Sequence, residues 1–112
     1  MSHAVEVMSL SEGVGRLVDA FSRNKTRFEI DYEQTLIFLA LGNLNVGIGG
    51  TDLLTIQSVS VTSLSAMTSL PRETVRRKLL QLEGKQMVRR SGPGYILRDL
   101  ETWTDFAKSL IR

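Results

Sequence analysis

The chain contains no cysteine and a single histidine. The first absence rules out disulfides, zinc–thiolate centres and thiol nucleophiles. The second leaves His3, in what reads as a loose N-terminal stretch, without partners for a histidine-based triad or metal site. No convergent acid–base pair is evident, so no metal, no cofactor and no enzymatic activity is expected. Long apolar runs are absent too. The longest, Leu36 to Leu41, falls far short of the ~20 residues of a membrane span. The N-terminus lacks a basic stretch followed by an apolar one, so no secretory leader is expected. These readings point to a prokaryotic cytoplasmic location and to no membrane partner. No internal repeat or low-complexity segment interrupts the 112 residues. That length predicts one domain, 1–112, with a core that needs no covalent staple.

Charge is present but unevenly spread. Residues 1–60 carry four basic and seven acidic side chains, whereas residues 61–112 carry ten basic and five acidic. Residues 72–98 alone hold eight basic against two acidic. A run of positive charge is often only a solvated surface. Concentrated this way, it also suits a polyanion.

Local signals predict a mainly α chain with one small β-hairpin. Ser9-Leu10-Ser11-Glu12 has the capping-box pattern and predicts a helix start, with the helix running to about Arg23. A polar link, 24–30, should follow. Asp31 with Gln34 caps a second helix to about Leu44, apolar on nearly every side and therefore buried all round. The glycine-rich stretch Asn45–Asp52 lacks the Lys-Ser/Thr ending of a phosphate loop. Leu53 to Val59 is expected as a short strand beside the hairpin. Ser60 or Thr62 caps a short third helix, and Pro71 opens a fourth, about 71–83, ended by Gly84. Gly92-Pro93-Gly94 turns a hairpin within 87–98. Asp99 caps a last helix with Leu100, Trp103, Phe106, Ala107, Leu110 and Ile111 at helical spacing.

Helix, tight turn, helix and hairpin in the order seen over 59–98 is the order of a winged helix-turn-helix, whose second helix enters the DNA major groove. At 100° per residue, Leu79 and Leu82 fall within about 40° of Val75, and the three face the core. Glu73 and Arg77 fall on the opposite face, flanked by Arg76, with Arg72 at the N-terminal end. Arg72, Glu73, Arg76 and Arg77 are therefore the candidates for base contact, because arginine matches the guanine O6/N7 acceptors and glutamate accepts from cytosine N4. The bland alternative is a Glu73–Arg77 surface ion pair. Thr74, Lys85, Arg89, Arg90 and Arg98 are candidates for phosphate or hairpin contacts, which position without reading sequence directly.

The run Arg72-Glu73-Thr74-Val75, followed by Arg77, Leu79, Leu82 and Glu83, resembles the DNA-binding domain of the cyclic-AMP receptor protein family over about 30 of the residues. The resemblance implies base-edge roles for Arg72, Glu73 and Arg77. Ser69 stands where that family usually has a turn glycine, and Pro71 where it usually has a capping serine. Nothing like the family's nucleotide-binding barrel precedes the motif. The order of helices around the hairpin is more like that of a stand-alone regulator of the MarR type, in which terminal helices form the dimer interface. Carried over, 9–23 and 99–112 become dimerisation helices, through Leu10, Val14, Leu17, Phe21, Trp103, Phe106 and Leu110. The bland alternative is that these stripes pack on their own domain. The expected function is sequence-specific double-stranded DNA binding by a homodimeric transcriptional regulator. The alternative is a winged-helix adaptor that binds protein and not DNA.

Overall fold

The computed structural model describes residues 3–46 and 56–111. Its element order is α1 (His3–Phe28), α2 (Tyr32–Val46), α3 (Val61–Thr68), α4 (Arg72–Gly84), β1 (Val88–Ser91), β2 (Gly94–Leu97) and α5 (Leu100–Ile111). Among the described residues, no helix is long and apolar enough to cross a membrane.

α1 is longer at both ends than its sequence signals suggest. Ser9 lies inside it, not at its start, and the expected polar link is helical to Phe28. Ala4 to Met8 holds no glycine or proline, so nothing stops the helix upstream of Ser9. A Ser-x-x-Glu pattern caps only where the preceding chain leaves the helix; here both side chains simply face solvent. The break comes at Glu29, which takes a positive φ of 55°. His3 opens the helix instead of preceding it.

α2 begins where expected. Gln34 N–H donates to Asp31 Oδ1 at 2.7 Å, and Asp31 N–H donates to Gln34 Oε1 at 2.8 Å, a reciprocal cap. α2 is the central helix and packs against α1, α3, α4, α5 and β2. Ile37, Phe38, Ala40 and Leu41 are buried, while Leu36 keeps an exposed edge. They meet Leu64 of α3 and Val75, Leu79 and Leu82 of α4 in one apolar cluster.

α3 starts at Ser60, whose hydroxyl accepts from Ser63 N–H at 3.1 Å. The α3–α4 turn passes through Ser69 at φ 61°, the left-handed conformation that glycine adopts most easily. The turn is braced by Ser65 Oγ donating to Leu70 C=O at 2.6 Å. Pro71 occupies the cap position, one residue earlier than expected, with φ −58° and ψ 145°. A proline fits either place, since neither requires its N–H. The far end of α4 is a larger correction. Gly84 is still helical, and the positive φ falls on Gln86 at 62°. Met87 N–H bonds Leu82 C=O at 3.1 Å and Gln86 N–H bonds Glu83 C=O at 3.0 Å. This is a Schellman ending shifted by two residues, and it drops Met87 into the core beside Leu82.

β1 and β2 pair antiparallel in the register Val88↔Leu97 to Ser91↔Gly94, so Gly92-Pro93 forms the two-residue turn and Gly94 belongs to the strand. Gly92 at φ 57° followed by proline gives the sign pattern of a type II′ turn. Of the expected strand at 53–59, Val59 alone among the described residues 56–59 pairs with the hairpin, exchanging backbone bonds of 2.8 and 3.0 Å with Tyr95. Gln57 N–H turns instead to Asn45 C=O at 3.1 Å. Leu53–Thr55 and the glycine stretch from Gly47 onward lie outside the described residues. Gly94 is fixed by this bridge: a Cβ there would strike the Val59 backbone.

Asp99 caps α5, accepting from Thr102 N–H at 3.0 Å. The Trp103 indole lies on Gly42 of α2, and its Nε1–H donates to Leu39 C=O at 3.2 Å. No side chain fits at residue 42 without displacing that ring. Gly42→Ala is therefore expected to cost about 1–3 kcal/mol and to redden the emission of the chain's only tryptophan. Unchanged emission together with an unchanged melting point would contradict this packing.

Candidate nucleic-acid interface

α4 buries Val75, Leu79 and Leu82 and turns Arg72, Glu73, Arg76 and Arg77 outward, as the 100° rotation requires. The four are not equivalent. Arg72 sits at the first helical position, with Nη1 donating to Thr62 Oγ1 of α3 at 3.2 Å. That bond steadies the guanidinium across the helix–helix junction. Glu73 pairs with Arg76 and not with Arg77: Nη2 and Nε of Arg76 reach the two carboxylate oxygens at 2.5 and 3.1 Å. Both i+3 and i+4 spacings bring side chains within reach, and the fork of Arg76 meets the carboxylate with two bonds at once. The bond holds the Glu73 carboxyl below, and the Arg76 guanidinium above, its ordinary range, with a smaller pull on Arg76 from nearby Tyr95. Arg77 makes no ion pair or side-chain hydrogen bond among the described residues. It is exposed, and its charge adds to the lowering of the Glu73 carboxyl.

The hairpin lies against the same helix. Arg90 N–H donates to Glu83 Oε2 at 3.3 Å, and its guanidinium carbon stands 6.0 Å from the centre of the Tyr95 ring directly across the ladder. Tyr95 itself is buried in the cluster that holds Val75, Leu79 and Leu82 of α4. Arg89, opposite Ile96, lies on the other face of the ladder and is exposed. Arg98 is exposed just past β2, at the base of the hairpin. Thr74 is half-buried on the flank of α4. Lys85 is drawn away to the far end of α4, where its ammonium donates to Phe28 C=O at 3.2 Å.

The sequence pattern hides three functional placements. Lys78 belongs to the basic run but faces inward: its side chain is 13% exposed, its ammonium pairs with the Asp31 carboxylate and it stands 3.7 Å from Glu33. Tyr95 carries no motif beyond the turn that precedes it. Asn45 looks like the start of a loop, yet it is buried at the end of α2. Its Nδ2 donates to Gln57 C=O at 2.6 Å and Tyr95 C=O at 3.2 Å, and its Oδ1 accepts from Leu97 N–H at 2.9 Å. One side chain thereby ties α2 to β2 and to the segment that bridges it.

The Asp31–Lys78 pair gives a pH dependence of definite sign. Burial pushes the Asp31 carboxyl up, but the Lys78 hydrogen bond and the Gln34 and Glu33 amides outweigh it, leaving the group below its ordinary 3.8. A carboxyl depressed by folding contributes fully above its ordinary value and loses that contribution as pH falls through its folded value. Asp31→Asn can still cap α2, so it removes mainly the charge. With Asp31 45% exposed, solvent screening keeps the loss at neutral pH to about 1 kcal/mol or less. Urea midpoints measured from pH 7 to 2 should show the variant less stable at pH 7 and level with the wild type at the acid end. A constant gap would contradict the assignment.

The residues expected at a dimer interface divide in two. Phe106 is buried, and its ring meets Phe21 edge-on at 5.7 Å. Trp103 is spent on α2, and Leu110 lines an apolar groove with Leu36, Leu39 and Met67. Leu10, Val14 and Leu17 are 63%, 59% and 44% exposed. No protein-family model, curated protein or solved structure matches the chain.

Proposed function

We propose that α2–α4 with the hairpin form a winged helix-turn-helix, and that the protein binds double-stranded DNA in a sequence-dependent manner as a transcriptional regulator. The observation that carries the reading is the disposition of positive charge on α4. Lys78 is spent inside the fold, whereas Arg77 opposite the core, Arg76 on its flank and Arg72 at the N-terminal end stay exposed. The hairpin adds two more exposed arginines, Arg90 against Tyr95 and Arg89 on its other face.

In this reading α4, about 20 Å long at 1.5 Å per residue, lies in the major groove. Arg77 meets a guanine edge as a free fork, Arg72 does so from its Thr62 anchor, and Glu73 accepts from cytosine while orienting Arg76. Arg89, Arg90 and Arg98 track phosphates or the minor groove, and Thr74 takes a phosphate at the side. Lys85, bonded to Phe28 C=O, is the least suited of the candidates. Two copies would read two half-sites about 34 Å apart on a palindromic site. The whole acts without metal or cofactor, in the cytoplasm.

Repeated selection from a random duplex pool tests the reading. Enrichment of a two-fold symmetric sequence is the expected result. A pool that stays random, with tight binding to an acidic protein in its place, would establish the adaptor alternative.

A further inference from the structure

α1 carries a heptad seam whose two halves have different fates. Val7, Leu10, Val14, Leu17, Phe21, Asn24 and Phe28 alternate three and four residues apart, the spacing of a two-stranded helix pair. The C-terminal half is occupied within the chain. Phe21 stands 5.7 Å from Phe106 and 6.1 Å from Tyr32, Asn24 is buried, and Phe28 packs on the core cluster. The N-terminal half is bare: Val7, at 59% exposed, joins Leu10, Val14 and Leu17. Between the halves, Leu17, Val18, Phe21, Ser22 and Tyr32 line an apolar depression of about 240 Å³.

We infer that residues 7–18 of α1 pair with the same segment of a second copy as an antiparallel two-helix seam. The inference deepens the two-copy reading above, to which it supplies the surface and the orientation.

Orientation follows from the occupied half. A parallel partner would continue along the seam past Leu17 and into the space that α2 and α5 already fill. An antiparallel partner ends there instead and sends its own body to the opposite end. With the two-fold axis beside Glu12, Val7 faces Leu17 of the second copy and Leu10 faces Val14, each twice. Every layer then joins a β-branched side chain to a leucine. The flanking positions repeat the agreement. Gly13 meets Gly13 and Ser11 meets Ser11 at the axis, which lets the helices approach closely, and Ala4 meets Val18. Glu6, the one charge bordering the bare half, comes beside Ala20 of the second copy, between that copy's Arg16 and Arg23. No like charges oppose, and the helix dipoles run in opposite senses. Self-complementarity under a two-fold axis is what selects a second copy over an unrelated partner.

A chain without cysteine makes the test direct. Sedimentation equilibrium at tens of micromolar should give twice 12.5 kDa. Leu10→Glu, which places a carboxylate in both central layers but alters an exposed position, should return 12.5 kDa with the helical circular dichroism intact. Mild oxidation of a Val7→Cys and Leu17→Cys mixture should give mixed disulfide dimers, while Val7→Cys alone stays uncrosslinked. A monomeric wild type, a dimer indifferent to Leu10→Glu, or self-crosslinking Val7→Cys would overturn the inference. No DNA enters these measurements, so a dimer of this form that ignores duplex supports the seam and defeats only the DNA reading.

Discussion

Asn45→Leu costs about 3–4 kcal/mol and lowers the melting point by more than 10 °C. The substitution keeps the branched shape, with bulkier methyls in place of the amide, and removes three hydrogen bonds where α2, β2 and the segment before α3 converge. Leu97 N–H is left without a partner, and the carbonyls of Gln57 and Tyr95 lose a donor. A buried donor without a partner costs about 1–3 kcal/mol, and the two carbonyls that lose a donor add to it. For a domain near this size each kcal/mol moves the midpoint by roughly 4–8 °C. Because Asn45 bonds Tyr95 and Leu97 of β2, the damage should extend to the hairpin of the proposed interface: hairpin amides should exchange hydrogen faster than those of α2. Thermal unfolding followed by circular dichroism, with hydrogen exchange on the same sample, measures both. A cost under about 1 kcal/mol would mean that water replaces the side chain and that the junction is not held by Asn45.

Arg72→Ala with Arg77→Ala flattens the preference among DNA sequences while leaving the fold intact. Both side chains are exposed and neither is needed by the core, so the melting point should move by less than about 0.5 kcal/mol in equivalent terms. Each bidentate arginine–guanine contact is worth about 1–3 kcal/mol of discrimination. The pair should therefore reduce the ratio of specific to mixed-sequence affinity by roughly 10²-fold or more. Arg89→Ala should behave differently, weakening all duplexes alike and reducing the salt slope by about one phosphate contact. Competition titrations against an enriched site and a scrambled one separate the two behaviours. A double variant that discriminates as well as wild type would remove α4 from sequence reading.

Three helix starts were legible because their chemistry is local. Asp31 with Gln34, Ser60 and Asp99 each satisfy orphan amides a few residues away, and each begins a helix where the pattern predicts. The first helix start and the close of α4 were not. The start of α1 and the close of α4 depend on what the chain does next: Gln86 takes the left-handed turn because Met87 must reach the core beneath Leu82. The outward face of α4 was readable from rotation alone, since three apolar residues fix its inner side. The fate of individual charges was not. Lys78 faces inward because Asp31, 47 residues earlier, stands at the neighbouring helix start, and no periodicity within α4 carries that information. Asn45 belongs to the same class, with a polar residue at a helix end made structural by three partners that the sequence places 12, 50 and 52 residues away.

The most direct measurement of the central claim is binding to mixed-sequence duplex DNA by fluorescence anisotropy across a salt series, with an Arg76→Ala/Arg77→Ala variant beside the wild type. The account predicts a non-specific Kd of roughly 10⁻⁴–10⁻⁶ M that weakens steeply with salt, the logarithmic slope scaling with the phosphates neutralised. The variant should bind more weakly and with a shallower slope. Absent or salt-insensitive binding by the wild type would contradict a DNA-binding role for this basic face.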